Sequence, residues 1–168
     1  LIFDYSADAA WEIQPHGRNL KYFVLLFETY KALRKLGQSI DILSSSHVDF
    51  SNYKIIFVPG LMYMNDELKR LLSSFRGQVL LGPRTSTRDK NSNTPIPLPP
   101  NLPNFGSKVV LTESFRSDDP IALEKGGHFC NFREKLEGSA EVVERTVKGD
   151  PAILRDGNFT YIAGWLDS

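Results

Sequence analysis

Residues Val79 to Asp89 read VLLGPRTSTRD. An apolar run stops at Gly82, turns at Pro83, and presents Arg84 and Arg88. Chemistry in α/β proteins collects at the carboxyl ends of strands. The corner can therefore be a nucleophile elbow, an anion cradle or a scaffold turn. An elbow needs Ser or Cys at the apex of a tight strand-to-helix turn. Here the apex is Arg84, which cannot attack a carbonyl. Ser86 follows two residues later, with no helical pattern after it. Two planar guanidinium groups suit carboxylates, whether of a small anion or of neighbouring protein. We read Arg84 and Arg88 first as ties between this corner and adjacent protein. A small-anion binding module using the same two arginines is the alternative.

Other constellations carry less. The first strand-to-helix connection, DYSADAAWEIQPHG, holds Asp4, Asp8 and Glu12 and no glycine before Gly17. Carboxylates repel phosphate, and the chain has neither G-x-G-x-x-G nor G-x-x-x-x-G-K. A receiver-type phosphorylation site needs an Asp closing the third strand, where Pro59 and Gly60 stand. Glu12 and His16 are four apart, but Pro15 interrupts any helix that would align them. His47 and His128 have no companion at metal-ligand spacing. Cys130 alternates with apolar neighbours in HFCNF and reads as a small core residue rather than half of a Cys–His pair with His128. No metal ligand set, cofactor motif or catalytic residue is assigned.

The elements that must position the corner follow from periodicity. LIFDY reads as a buried strand. Asn19 is expected to cap a helix with Leu20, Phe23, Val24, Phe27, Tyr30 and Leu33 on its apolar face, ended by Gly37. SIDIL (39–43) and KIIFVPG (54–60) read as strands, the second covered on both faces. Asn65 caps a second helix with Leu68, Leu71, Leu72 and Phe75 on one side, and QVLLG is the next strand. The order βαββαβ predicts an α/β fold of flavodoxin-like type, a mostly parallel sheet with helices on both faces. Residues 83–106 hold six prolines and read as a long irregular surface excursion. Beyond it, short β-like runs over 107–168 predict antiparallel strands and hairpins, with RDGN (155–158) as a turn. The chain is thus read as one domain: a parallel core over 1–82, a proline-rich loop over 83–106 and a β-rich completion over 107–168.

The 168 residues carry 20 basic and 20 acidic side chains. A net charge of zero argues against a nucleic-acid partner. One cysteine permits no internal disulfide. No apolar run approaches the roughly 20 residues of a membrane span, and no signal-peptide pattern is visible. Starting inside a strand-like run, the chain reads as a segment of a longer polypeptide. Trp11, Phe50, Tyr53, Met62, Tyr63, Met64 and Phe105 are candidate interface anchors, since aromatics and Met are enriched at interface cores.

Several stretches occur together in order: WEIQPHG (11–17), YKALRKLGQSIDIL (30–43), DFSNYKIIFVPGLMY (49–63), LLGPRT (80–85), NTPIPLPPNL (93–102) and GDPAILRDGNFTYIAGW (149–165). Together they resemble the middle, trimerisation domain of family 42 glycoside hydrolases, the bacterial β-galactosidases. His16 replaces an expected Gln, and SFRGQVLL lacks the usual Gly-Gly. The resemblance implies a class I glutamine amidotransferase-like fold, without the amidotransferase cysteine, whose place falls on Arg84. It implies a cytoplasmic bacterial homotrimer whose parent hydrolyses terminal β-D-galactosides with glutamates on a separate (β/α)8 barrel. The module would join three subunits and pack on that barrel, with no cofactor.

Overall fold

The computed structural model describes residues 1–17 and 19–166. Strand β1 (Ile2–Phe3) leads into helix α1 (Tyr5–Ile13). Asp4 starts α1 as its N-cap, accepting from the Ser6 N–H at 2.8 Å. Read from sequence as a connection, this segment is helical and buries Ala7 and Trp11. Helix α2 spans Tyr22–Lys35 and is preceded by Lys21 with no side-chain cap, so Asn19 is not its N-cap. The expected apolar face is also corrected. The helix buries Tyr22, Leu25 and Leu26, while Phe23, Val24 and Phe27 face outward. Both stripes are apolar, and spacing alone does not choose between them.

Strand β2 is only Leu43–Ser44, pairing parallel with β1 as a separate two-stranded ribbon. Strand β3 (Ile55–Val58) buries Ile56 and Val58 but leaves Ile55 exposed, so it is half-covered rather than buried on both faces. Helix α3 (Asp66–Ser74) follows the sequence closely. The Asn65 side chain accepts from Leu68 N–H at 2.7 Å, and Leu68 and Leu72 point into the core. Strand β4 (Gln78–Leu81) ends at the corner.

The remaining strands are β5 (Ser107–Ser114), β6 (Ile121–Ala122), β7 (His128–Gly138), β8 (Glu141–Arg145), β9 (Pro151–Asp156), β10 (Phe159–Ile162) and β11 (Gly164–Leu166). One sheet has the order β3-β4-β10-β9-β8, parallel through β3, β4 and β10 and antiparallel beyond. The other runs β11-β7-β5, with β6 also on β7. The fold is therefore mixed α/β with several sheets. The parallel sheet is seen only in part: β3, β4 and β10 run parallel, with the late strand β10 as the second parallel neighbour of β4. The segment 83–106 is also less superficial than predicted. Its first part, Pro83 to Thr87, is buried, as are Leu102 and Phe105.

Candidate functional site

Strand β4 delivers Gly82 hard against the backbone of β3. A Cβ on Gly82 would stand 2.9 Å from the Pro59 Cα. Past Pro83 the chain turns with Arg84 at φ +66° and Ser86 at φ +55°. These left-handed conformations are unfavourable for side-chain-bearing residues and persist only where their surroundings hold them. Ser86 N–H donates to the Leu61 carbonyl at 2.8 Å, and Arg88 N–H to Met62 at 2.9 Å. The Thr85 hydroxyl donates to the Gly82 carbonyl at 2.7 Å. The turn is thereby laced to the segment after β3.

Arg84 is 1% exposed. Its guanidinium carbon lies 4.4 Å from the Trp11 ring centroid, and Nη2 donates to the Gln14 carbonyl at 2.7 Å. The Trp11 indole N–H in turn donates to the Gly60 carbonyl at 2.8 Å. Beneath the turn, the Arg84 backbone N–H donates to Glu134 Oε1 at 3.0 Å, and the Tyr161 hydroxyl donates to Glu134 Oε2 at 2.7 Å. Glu134 comes from β7 and Tyr161 from β10, so one carboxylate joins the two sheets under the corner. Burial outweighs those bonds and pushes the Glu134 carboxyl up to about 7. Burial likewise lowers Arg84 to about 10 despite the pull of Glu134. Tyr161 is raised, first by burial and then by the neighbouring carboxylate.

Arg88 is equally engaged. Nε donates to Gln14 Oε1 at 2.6 Å, and Nη1 to the Thr87 carbonyl at 2.8 Å and Thr94 Oγ1 at 3.1 Å. His16 lies tilted against Phe132, with ring centroids 5.1 Å apart, and its pKa is lowered by burial and then by Arg84 and Arg88. Arg84, Arg88 and Trp11 are thus brought together. Phe105 lies apart against Phe159 and Tyr161, and Tyr63 is 41% exposed. Phe50, Met62 and Met64 are core residues, and Tyr53 packs against them half-buried. Cys130 is half-buried on β7, not at the corner.

Sequence reasoning missed Glu134 and Gln14. Gln14 accepts from Arg84 through its backbone carbonyl and from Arg88 through its side chain, and no motif marks either. Glu134 did leave a signal: Phe132, Glu134 and Leu136 alternate on one strand face, and the outer two are core residues.

The chemistry open to this corner is holding. The apex carries the Arg84 guanidinium, whose Nη2 is spent on the Gln14 carbonyl while Nη1 is buried without a hydrogen-bond partner among the described residues; the donors of Arg88 go to Gln14, Thr87 and Thr94, and the buried carboxyl beneath is bonded on both oxygens. Arg84 stands at the apex, where a nucleophile elbow needs Ser or Cys. Among the described residues no cluster of His, Cys, Asp and Glu is arranged to hold a metal ion, and no helix is long and apolar enough to cross a membrane.

The fold and the corner define a mixed α/β module whose strand-end turn is tied to its neighbours through a buried arginine. Residues 1–168 match the family described as the β-galactosidase trimerisation domain, and the chain belongs to that family, the middle domain of family 42 β-galactosidases. It is 31% identical over 176 residues to the β-galactosidase BgaA of a Thermus species, covering 98% of this chain and 26% of that protein. It is 32% identical over 197 residues to the β-galactosidase Bga of Halorubrum lacusprofundi, covering 100% of this chain and 28% of that one. The crystal structure of a β-galactosidase from the psychrophilic Marinomonas ef1 superposes with a TM-score of 0.91 at 26% identity, over 99% of this chain and 26% of the other. The chain spans about a quarter of the length of these relatives.

Proposed function

We propose that this chain is the assembly module of a cytoplasmic bacterial β-galactosidase, joining three copies into a homotrimer and packing on the catalytic barrel of its own polypeptide. The parent would hydrolyse terminal β-D-galactosides by a retaining two-carboxylate mechanism, with both carboxylates on the barrel. The core would be a variant of the class I glutamine amidotransferase-like fold, its elbow converted to a tie. The observation that carries this reading is Arg84. At the position where a sheet of this kind offers its reactive atom, the chain places a guanidinium stacked on Trp11 and bonded to Gln14.

Sedimentation equilibrium tests the reading. The expected mass is three times the chain's 19.0 kDa, falling towards one on dilution. The same preparation should leave a chromogenic β-galactoside intact. Turnover that co-purifies with the chain would sink the proposal, whereas a monomer at every concentration would leave assembly resting on the barrel.

A further inference from the structure

Two guanidinium groups at the corner lack a counter-charge. Arg84 is 1% exposed, and its Nη1 is buried with no acceptor among the described residues. Nη2 has the Gln14 carbonyl, and the Trp11 ring covers one face. Arg88 reaches an amide oxygen, a carbonyl and a hydroxyl, but no carboxylate. A buried arginine is ordinarily paired, because a buried charge without a partner is costly. The same chain shows the ordinary solution on β7. Arg133 is buried too, and it lies between Glu113 at 2.5 Å and Asp150 at 2.8 Å. Among the described residues neither Arg84 nor Arg88 has such an ion pair. Glu134 attracts Arg84 from beneath, but its two oxygens are taken by the Arg84 N–H and the Tyr161 hydroxyl.

Both arginines line one cleft of about 350 Å³, together with Thr94 and Thr112. Thr94 Oγ1 accepts from Arg88, which leaves its own O–H to donate. Leu98, Val109 and Phe132 give the cleft an apolar wall. Open donors, positive charge and apolar surface in one cleft fit an anion with an apolar body. Planar guanidinium forks match a planar carboxylate. A phosphate dianion would bring a second negative charge towards the buried Glu134 carboxyl. An engineered cavity of about 150 Å³ accepts benzene, so this cleft has room for a carboxylate and a ring.

We propose that the cleft is a carboxylate-binding site, in which Arg84 and Arg88 hold the carboxylate and the Leu98, Val109 and Phe132 side chains pack on the rest of the ligand. Two sources share that chemistry: a free organic acid, and an acidic side chain of the longer polypeptide proposed above. Binding does not depend on whether three copies associate.

Titration calorimetry of the chain with sodium benzoate, at constant ionic strength set by sodium chloride, tests the site. A single saturable site is expected, with Kd on the order of 1 mM for a ligand of this size. Benzamide, which lacks the charge, and inorganic phosphate, which lacks the planar shape, are each expected to bind at least about tenfold more weakly. Arg88→Gln is expected to weaken benzoate at least about tenfold by loss of its charged fork. If that variant fails to fold, Thr94→Val, a change at an exposed position, is expected to weaken benzoate about threefold. No saturation by about 50 mM benzoate, equal binding of benzamide or phosphate, or wild-type affinity in the folded variant would each overturn the site. The same titration on the longer polypeptide separates the two sources. Saturable binding there assigns the cleft to a free acid. Its loss there, with this chain still binding, assigns the cleft to an acidic side chain.

Discussion

Glu134 makes the corner sensitive to pH. Its carboxyl sits at about 7 in the folded chain against an ordinary 4.5. Between those values the native state keeps a proton that the unfolded chain releases. Stability therefore falls as pH rises from about 4.5 to about 7 and levels off above, when the charged carboxylate is buried in full. The shift corresponds to a loss on the order of 3 kcal/mol. His16, lowered by burial and by the two arginines, acts with the opposite sign on acidification. Comparing wild type with Glu134→Gln cancels that contribution. The variant, neutral at every pH, is expected to gain stability relative to wild type across this window in urea titrations. Parallel pH profiles for the two proteins would refute the assignment. The residue was legible only in part. A Glu between Phe132 and Leu136 on one strand face announces a buried acid, but its partners, the Arg84 N–H and Tyr161, lie 50 and 27 positions away. No local pattern spans that distance.

Among the elements, α3 and α2 mark the two extremes of legibility. The α3 cap, first-turn acids and single apolar face all agree, and the helix forms where they place it. In α2 two apolar stripes compete, and the tertiary structure decides which becomes core. The outward one is the stripe that sequence spacing picks out. The turn after β3 is likewise set by what stands next to it. Gly60 has φ +64°, and a Cβ there would lie 2.7 Å from Trp11 Cζ2. Gly37 ends α2 at φ +75° with nothing within 4 Å of the same position. Replacing Gly37 by Ala is expected to cost about 1 kcal/mol, the backbone strain alone. The same change at Gly60 should cost about 3 kcal/mol, strain plus displacement of a ring pinned by its own hydrogen bond. For a chain of this size that is a fall in Tm on the order of 10 °C. Equal Tm shifts for the two variants would show that the Trp11 contact carries no weight.

Over the whole molecule, strands and helices were readable from their periods, while the pairing of distant strands was not. The early βαββαβ order predicts a parallel core over 1–82 and assigns no late strand to it. Instead β10, residues 159–162, runs parallel beside β4 and antiparallel to β9. Its Phe159 and Tyr161 are fully buried, and Tyr161 supports the corner through Glu134. The division into a parallel core and a later β-rich part therefore describes composition and does not separate two cores. That pairing dictates when the protein can fold. A nascent chain has no partner for the inner edge of β4 until residues 159–162 have left the ribosome. Fragments ending before position 159 should be digested by protease within seconds, whereas the full-length chain resists. A protease-resistant fragment ending near residue 106 would show that the first half is a folding unit after all. The price of so late a closing strand is that residues 159–162 must emerge before this scaffold is secure.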